Sequence, residues 1–283
     1  KAESRGLGDV YKRQVQSHSM TTNVTRTWLI SGPPGCGKSS WILKTLKEHA
    51  GPCGYLRLAG FSDDALMHAD DGCIDLAYLQ DQVPGLRDLT KGDLAEIQIE
   101  DNFFALIELP QFKPPDESGL EGIDPRVMTQ LRTMKLQPDR ALHFGQDEEL
   151  PQEDALEFSR LEAWSMSLEG CVWDPNSLSS FWFELVNGAY GDVYRAKGLM
   201  NLPDGRAFFC NWMVSQGGSQ FLPLESVAAP DGRPKRCSML SVQGKALDGS
   251  GIQATITDCL LSDEVLELHQ EPQRQQAELT QAL

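Results

Sequence analysis

The stretch that decides the fold is Trp28-Leu-Ile-Ser-Gly32-Pro-Pro-Gly-Cys-Gly37-Lys38-Ser39-Ser40-Trp-Ile-Leu. A short apolar run precedes the pattern Gly-x-x-x-x-Gly-Lys-Ser, and the residues after it follow a helical pattern. This order of strand, loop and helix is typical of a phosphate-binding loop. The alternative is a turn rich in Gly and Pro before an ordinary helix, and the intact context favours the phosphate loop.

Such a loop binds anions mainly through its backbone. Glycines let successive amides point at phosphate oxygens, and the new helix adds the positive end of its dipole. We expect Lys38 to contact the β- and γ-phosphates and Ser39 to be a ligand of Mg²⁺, with Ser40 the less favoured ligand. The predicted nucleotide-binding residues of this loop are Gly32, Gly35, Cys36, Gly37, Lys38, Ser39 and Ser40.

Composition limits the class of protein. With 283 residues, 40% of them hydrophobic and 23% charged, the chain can form one large or two moderate globular domains, and we favour two. A formal charge of −16 disfavours a nucleic-acid partner, because such binding needs a basic surface. Neither a membrane-spanning stretch nor a signal peptide is evident, so we expect no membrane partner. Seven cysteines without a framework spacing indicate a reducing compartment, and we predict a cytoplasmic protein.

Changes in composition divide the chain into five segments. Residues 4–14 resemble a translated sequencing adapter, so residues 1–19 are predicted to be an artefactual or disordered leader without function. Residues 20–146 are the predicted nucleotide-binding domain, and 147–157 an acidic linker. An α+β domain is predicted over 158–261, followed by a helical or disordered tail over 262–283.

Two acidic positions follow predicted strands of the first domain. The order of strand, helix and second strand up to Gly60 predicts a parallel sheet. Asp63 and Asp64 come next and are predicted to hold Mg²⁺ or sense the γ-phosphate; alternatively they cap a helix that begins at Ala65. Glu108 ends a continuous apolar run, where open α/β sheets have their ligands. We expect Asp63 or Glu108 to bind Mg²⁺ or orient the attacking water, although Glu108 also fits a plain surface position.

Cys73 gives a weaker indication of metal chemistry. Thiolate and imidazole suit zinc or cobalt, and His68, Asp75 and Cys53 are the residues that would complete such a site. The spacing of these residues matches no established metal motif. The alternative is that Cys73 is a small buried apolar residue.

The second half of the chain has the pattern of an antiparallel sheet with helices on one face. Ser177 is predicted to cap a helix over residues 178–186. Arg195 and Lys197 are two cations on one strand, which either contact the nucleotide domain or a client, or lie on one solvated face. The large aromatic residues are interpreted as core, and they are Trp173, Phe181, Trp182, Phe183 and Trp212.

Taken with Gly72-Cys73-Ile74, Ile107-Glu108 and Arg195-Ala-Lys197-Gly198, the phosphate loop makes the chain resemble the CobW-like GTPases. The resemblance covers most of residues 20–260 and is best at the loop and around Arg195. It implies an α/β fold with an abbreviated parallel-sheet domain, followed by an α+β CobW carboxy-terminal domain. It also implies GTP as nucleotide, Mg²⁺ as cofactor, and zinc or cobalt as transferred metal.

The chain departs from that family at three places. The family's Gly-Cys-x-Cys-Cys metal motif is Gly72-Cys-Ile-Asp-Leu here, so Cys73 is the only one of its three cysteines that is present. Its Glu-x-x-Gly is Glu108-Leu-Pro-Gln here and lacks the glycine that contacts the γ-phosphate. The guanine-reading Asn-Lys-x-Asp is Phe144-Gly-Gln-Asp147, of which only Asp147 matches.

The sequence therefore predicts a protein that binds GTP or ATP and hydrolyses it slowly to drive the handling of a metal or a metalloprotein client. Lys38, Glu108 and Asp63 are its predicted catalytic residues. The alternative is a degenerate relative that does not hydrolyse nucleotide and acts as an interaction module.

Overall fold

A computed structural model of the protein describes residues 26–62, 65–68, 72–90, 102–111, 115–147, 150 and 162–281. The structure consists of two sheets with helices packed against them. The predicted leader, Asp63, Asp64 and most of the predicted acidic linker lie outside the described residues.

The first sheet has five parallel strands. In spatial order these are β4 (Arg87–Asp88), β2 (Cys53–Ser62), β5 (Phe104–Pro110), β1 (Arg26–Gly32) and β6 (Arg140–His143). A further strand, β3 (Ala65–His68), pairs antiparallel with the end of β2. The predicted parallel sheet is therefore confirmed. The alternative interpretation of a helix beginning at Ala65 is wrong, because the chain turns back there to pair with β2.

Helices cover both faces of the first sheet. Helix α1 (Lys38–Glu48) follows β1, α2 (Gly72–Gln82) precedes β4, and α3 (Pro125–Thr133) precedes β6. Val127 and Leu131 of α3 are buried on one face. Ile42 of α1 and Leu79 of α2 are buried on the other. Because both faces are covered, the central strand β5 is apolar along almost its whole length.

The second sheet is antiparallel, as the sequence predicts. Its spatial order is β10 (Gln220–Pro223), β9 (Ala207–Met213), β8 (Asp192–Asn201), β11 (Met239–Lys245) and β7 (Glu162–Ser167). Helices α4 (Pro175–Val186) and α5 (Gly249–Cys259) pack on one face. The opposite face packs on α2, where Tyr78 stacks on Phe209 with ring centroids 4.3 Å apart. The two sheets therefore share α2.

Two predictions for this half of the chain are wrong in detail. Helix α4 begins at Pro175 rather than after Ser177, and Asp174 is its cap, accepting from the Ser177 amide at 2.8 Å. Proline in the first turn of a helix, directly after a capping Asp, explains the earlier start. Phe183 is not core but 67% exposed, whereas Trp173 and Trp182 are buried as predicted.

The tail forms a helix, α6 (Asp263–Gln281). Gln270 anchors it: this amide side chain donates to the Gly232 carbonyl at 2.9 Å and accepts from the Gly232 amide at 2.8 Å. None of the helices described is both long and apolar enough to cross a membrane.

Candidate functional site

The loop between β1 and α1 has the backbone of an anion-binding turn. Gly35 and Gly37 have φ angles of +84° and +87°, which glycine adopts without strain. Gly37 is the N-cap of α1, and no side chain in the described part of the chain caps this helix end. Amides of the first helical turn are thus available to an anion beside the positive end of the helix dipole.

Lys38 folds back over its own loop. Its Nζ donates to the carbonyl oxygens of Gly32 at 2.9 Å and Pro33 at 2.7 Å, and lies 3.9 Å from Oε1 of Glu108. Burial lowers the pKa of Lys38, and the nearby charge of Glu108 opposes that shift. A polyphosphate in the loop would replace two neutral carbonyls with charged oxygens, which form stronger hydrogen bonds to an ammonium.

A buried carboxylate, Asp75 of α2, faces the first turn of α1. The Ser39 hydroxyl donates to Oδ1 of Asp75 at 3.0 Å, and Arg57 of β2 and Lys197 of β8 both form ion pairs with this carboxylate. The Nζ of Lys197 also lies 3.3 Å from Oγ of Ser39. Ser39, Arg57, Asp75 and Lys197 thus form one polar cluster, which we call the Asp75 cluster.

Charge balance within the Asp75 cluster keeps its carboxyl group ionised. Burial alone would raise the pKa of Asp75, but the charges of Lys197 and Arg57 outweigh it and hold that pKa well below its usual range. Burial also lowers the pKa of Lys197 to about 8, against the opposing charge of Asp75. At neutral pH the cluster therefore contains one negative and two positive charges.

Glu108 lies near the carboxyl end of β5, beside the phosphate loop. The hydroxyl of Tyr55 donates to Oε2 of Glu108 at 2.5 Å, while Lys38 lies near its other oxygen. Both Glu108 and Tyr55 are buried. Burial and the adjacent charge of Glu108 raise the pKa of Tyr55 well above its usual value, so this tyrosine stays a donor. The glutamate is therefore fixed in orientation.

The second sheet covers the phosphate loop. Met213 at the end of β9 packs directly on Gly35: a Cβ added there would lie 1.8 Å from the Met213 sulfur. Lys197 of β8 reaches the Asp75 cluster, and its ammonium lies 5.1 Å from the centroid of the Phe209 ring. Strands β8 and β9 therefore form one wall of the site, and the loop forms the other.

A cavity of about 560 Å³ lies between the phosphate loop and this wall. The volume is in the usual range for a small-molecule site. Glu48 and Glu108 are the acidic residues in its described lining, and cations outnumber them. In a chain with a net charge of −16, such a local excess of positive charge indicates an anionic ligand. The cationic lining residues are Lys38, Lys44, Lys47, Arg57, Arg195 and Lys197.

The residues predicted to hold Mg²⁺ do not fit that ion in this arrangement. Ser39 is held between Asp75 and the Lys197 ammonium, and Glu108 is engaged by Tyr55 and Lys38. Asp63, the third predicted ligand, lies outside the described residues. No group of three or more His, Cys, Asp or Glu side chains in the described part of the chain is arranged to hold a metal. An ammonium beside the Ser39 hydroxyl would repel a divalent cation.

The other predicted nucleotide-binding residues separate into two groups. Gly35, Gly37, Lys38, Ser39 and Ser40 line the cavity. By contrast, Gly32, Cys36 and Asp147 are not among its described lining.

Asp147 has a structural contact instead. Its Oδ2 accepts from the His143 amide at 2.6 Å, and this hydrogen bond closes the turn after β6. Cys36 is buried behind the loop, with its sulfur 3.6 Å from Nζ of Lys38.

Cys73 lies at the contact between α2 and the second sheet. Its sulfur is 2.7 Å from that of Cys237 and 3.9 Å from that of Met239. Of the residues considered as its metal partners, Asp75 contacts Ser39 and Cys53 is buried in the core of the first sheet. The side chain of His68 is outside the described part of the structure.

Sequence reasoning assigned no role in the nucleotide site to Tyr55, Arg57 or Asp75. One signal for Arg57 was present: it is a lone charge within the apolar strand residues 55–58, and a buried charge requires a partner. No comparable local pattern marks Asp75, because its partners Ser39 and Lys197 are distant in sequence.

Comparison with known proteins adds little to this geometry. No protein-family model matches the chain, and no curated protein matches it. Among solved structures, the Zn(II)-bound YjiA GTPase from E. coli is 11% identical with a TM-score of 0.31, covering 84% of this chain and 99% of that one. A Zn(II)-bound triple mutant of YjiA GTPase is 11% identical with a TM-score of 0.30, covering 83% and 99%. TM-scores this low support no inference about fold or function.

Proposed function

We propose that the protein binds a nucleoside triphosphate in the cavity between the phosphate loop and the second sheet. The observation that carries the proposal is the position of Lys38: its buried ammonium lies at a helix start that no described side chain caps, and the residue lines a cation-rich cavity. Loop amides would bind the β-phosphate, and Lys38 would contact the β- and γ-phosphates. GTP is the favoured nucleotide because of the resemblance to CobW-like GTPases, and ATP is the other candidate.

Slow hydrolysis is the activity that these residues support best. Glu108 is buried, accepts a hydrogen bond from Tyr55 at Oε2 and has Lys38 near Oε1; once Lys38 contacts phosphate, Oε1 would accept a hydrogen bond from the attacking water. Cations from the second sheet, Arg195 and Lys197, would stabilise charge on the transferred phosphoryl group.

Occupancy of the cavity would also change how the two sheets pack. Met213 and Lys197 belong to the second sheet but contact the phosphate loop and the Asp75 cluster. A triphosphate that displaces either contact alters the position of the second sheet, which is how nucleotide state would control a client or a metal cargo. For a zinc or cobalt cargo, Cys73 is the residue that matches the family motif.

Equilibrium titrations test the binding proposal. GTP and ATP are titrated separately into wild type, Lys38→Ala and Lys44→Ala, in buffers with and without Mg²⁺. Loss of a charged hydrogen bond in Lys38→Ala should raise Kd by about 10- to 100-fold. Lys44 lines the same cavity but is exposed, so Lys44→Ala should change Kd by about fivefold at most. Absence of binding to wild type under every condition would refute the proposal.

The second candidate is an interaction module that binds nucleotide without hydrolysing it. The residues Glu108-Leu-Pro-Gln111 favour this candidate, because Gln111 replaces the family's glycine and its backbone amide donates to the Gly32 carbonyl at 2.9 Å rather than to a phosphate. Phosphate release during a single turnover distinguishes the two. Release above that of Glu108→Gln supports hydrolysis, and equal rates support the module.

A further inference from the structure

The neighbouring strands and side chains restrict the side-chain conformation of Lys197. It lies on the central strand β8, paired with Asn211 of β9 on one side and Ser241 of β11 on the other. The residue is 3% exposed, and the ring of Phe209 packs beside its ammonium. A lysine that is buried on a central strand has few rotamers left, so its position is a fixed feature of the fold.

One group that Lys197 contacts, the Ser39 hydroxyl, is a group that a phosphate-loop protein normally offers to magnesium, and Asp75 of α2 adds a carboxylate beside it. Its ammonium forms an ion pair with Asp75 and lies 3.3 Å from the hydroxyl of Ser39. In such sites the loop Ser or Thr hydroxyl and a nearby Asp hold the cation that bridges the phosphates. Here a side-chain cation is already in contact with both oxygen groups.

The charges of the Asp75 cluster also disfavour a bound magnesium ion. Asp75 carries one negative charge and is paired with two cations, Arg57 and Lys197. Adding a divalent cation to this buried cluster would bring it within a few ångströms of two like-charged side chains, at a high cost in a low-dielectric site. The cluster itself has one net positive charge, which lies beside the cavity where the phosphates are proposed to bind.

We propose that Lys197 replaces Mg²⁺ in this protein, so that the chain binds its nucleoside triphosphate without a divalent metal. The ammonium neutralises phosphate oxygens from the side of Ser39, while Lys38 does so from the loop. This inference rests on the proposed function, since it concerns the same cavity. It makes Lys197 a determinant of which form of the nucleotide binds: the free nucleotide rather than its magnesium complex.

Titration of the full chain with GTP and ATP, in magnesium chloride and in EDTA, tests the inference. Wild type should bind the preferred nucleotide with Kd values within about threefold of each other in the two buffers, because losing the ion would remove no contact. Lys197→Met keeps much of the buried side-chain volume but removes the charge. This variant should bind about 10- to 100-fold more weakly than wild type in EDTA, and magnesium should restore part of the loss.

Lys245→Met is the matched control. Lys245 lies on the neighbouring strand β11, is exposed, and is not in the described lining of the cavity. It should behave as wild type in both buffers. Circular dichroism checks that both variants are folded. The comparison of wild type in magnesium chloride with wild type in EDTA does not depend on any variant being folded.

Two results would overturn the inference. Wild type could lose about tenfold or more in affinity when magnesium is removed, or Lys197→Met could bind as tightly as wild type in EDTA. Either result leaves the proposed function intact, because nucleotide still binds. If wild type bound neither nucleotide in either buffer, the proposed function would fail, and this inference would fail with it.

Discussion

Met213 packs directly against Gly35, so the second sheet touches the phosphate loop at a residue where an added side chain would overlap its neighbour. A Cβ at Gly35 would lie 1.8 Å from the sulfur of Met213 and 2.6 Å from its terminal methyl carbon. The loop and β9 are therefore matched in shape. A nucleotide bound as proposed would contact both, which would couple its binding to the packing of the sheets.

The Met213 contact predicts an unusual cost for Gly35→Ala. Gly35 and Gly85 have nearly the same φ, +84° and +83°, but no atom of the described residues lies within 4 Å of a Cβ at Gly85. Gly85→Ala should therefore report backbone strain alone, about 1 kcal/mol, whereas Gly35→Ala should add about 0.5–1.5 kcal/mol, because the terminal atoms of Met213 must move into a less favourable rotamer. Free energies of unfolding from urea titrations measure both.

Relief of the overlap gives the second half of this test. The double variant Gly35→Ala/Met213→Ala tests this. When the cost of Met213→Ala alone is subtracted from its loss of unfolding free energy, the remainder should equal the cost of Gly85→Ala. If Gly35→Ala costs no more than Gly85→Ala, the predicted cost of displacing Met213 is refuted.

Glu108 is predicted to act in hydrolysis rather than in binding. Glu108→Gln keeps the size of the side chain and its hydrogen bond from Tyr55, but cannot orient or accept a proton from water as a carboxylate does. The rate of a single turnover should fall by about 100- to 10,000-fold, with Kd changed by about threefold at most.

Glu48→Gln is the control for this experiment. Glu48 also lines the cavity but is exposed at the end of α1. Its substitution should leave the turnover rate unchanged. A fall of similar size in both variants would assign the effect to the net charge of the cavity and not to Glu108.

Cys73 and Cys237 should form a disulfide readily. Their sulfurs are 2.7 Å apart, which is closer than the roughly 3.8 Å between two thiolates on one tetrahedral zinc ion. Cys237 lines an open surface groove, where oxidised glutathione can reach it. Exchange would first give a mixed disulfide at Cys237. Attack by Cys73 then forms the protein disulfide, and two glutathione thiols are released in total.

Peptide mass mapping without reduction checks this outcome. Wild type should yield a linked pair of peptides from α2 and from the segment before β11, and Cys73→Ser should instead retain glutathione at Cys237. A stable mixed disulfide at Cys237 in wild type would show that α2 and the second sheet do not meet as described.

His143 predicts how stability depends on pH. Burial lowers the pKa of His143 to about 4, Lys38 adds to this shift, and Asp147 opposes it. In the unfolded chain this imidazole has its ordinary pKa of about 6.5. Between pH 6.5 and 4 it is therefore protonated in the unfolded state but largely neutral in the folded state. Stability from this group is therefore present above pH 6.5 and decreases as the pH falls, by up to about 1.4 kcal/mol per unit.

Urea unfolding of wild type and His143→Gln across this range measures the effect. The difference in unfolding free energy between the two should shrink as the pH falls from 6.5 to 4. A constant difference would mean that His143 titrates normally in the folded protein.

Local patterns in the sequence were sufficient for the phosphate loop, β1, β5 and the antiparallel second sheet. Each is encoded by residues that are close in the chain: Gly and Lys at a fixed spacing, or an apolar run with a recognisable period. The first turn of α4 was missed because a capping Asp and a following Pro outweighed a plausible Ser cap. Where neighbouring residues compete to cap a helix, the sequence predicts the helix start to within about one turn.

Which residues meet at the site could not be predicted from local sequence patterns. Lys197 and Asp75 are 122 positions apart, and Ser39 and Lys197 are 158 apart. Alternation along β8 predicts that Arg195 and Lys197 share a face, but not that α2 and the phosphate loop lie opposite that face. Only the docking of the second sheet on α2 reveals that a lysine stands beside the loop serine.

A crystal structure of the full chain with a slowly hydrolysed GTP analogue would show directly whether the cavity holds the nucleotide. We predict β- and γ-phosphates within hydrogen-bonding distance of the Gly35–Ser39 amides and of Nζ of Lys38, with Lys197 on the opposite side of the phosphates. A nucleotide bound elsewhere, or a loop in which Lys38 keeps its bonds to the Gly32 and Pro33 carbonyls while the analogue is bound, would contradict it.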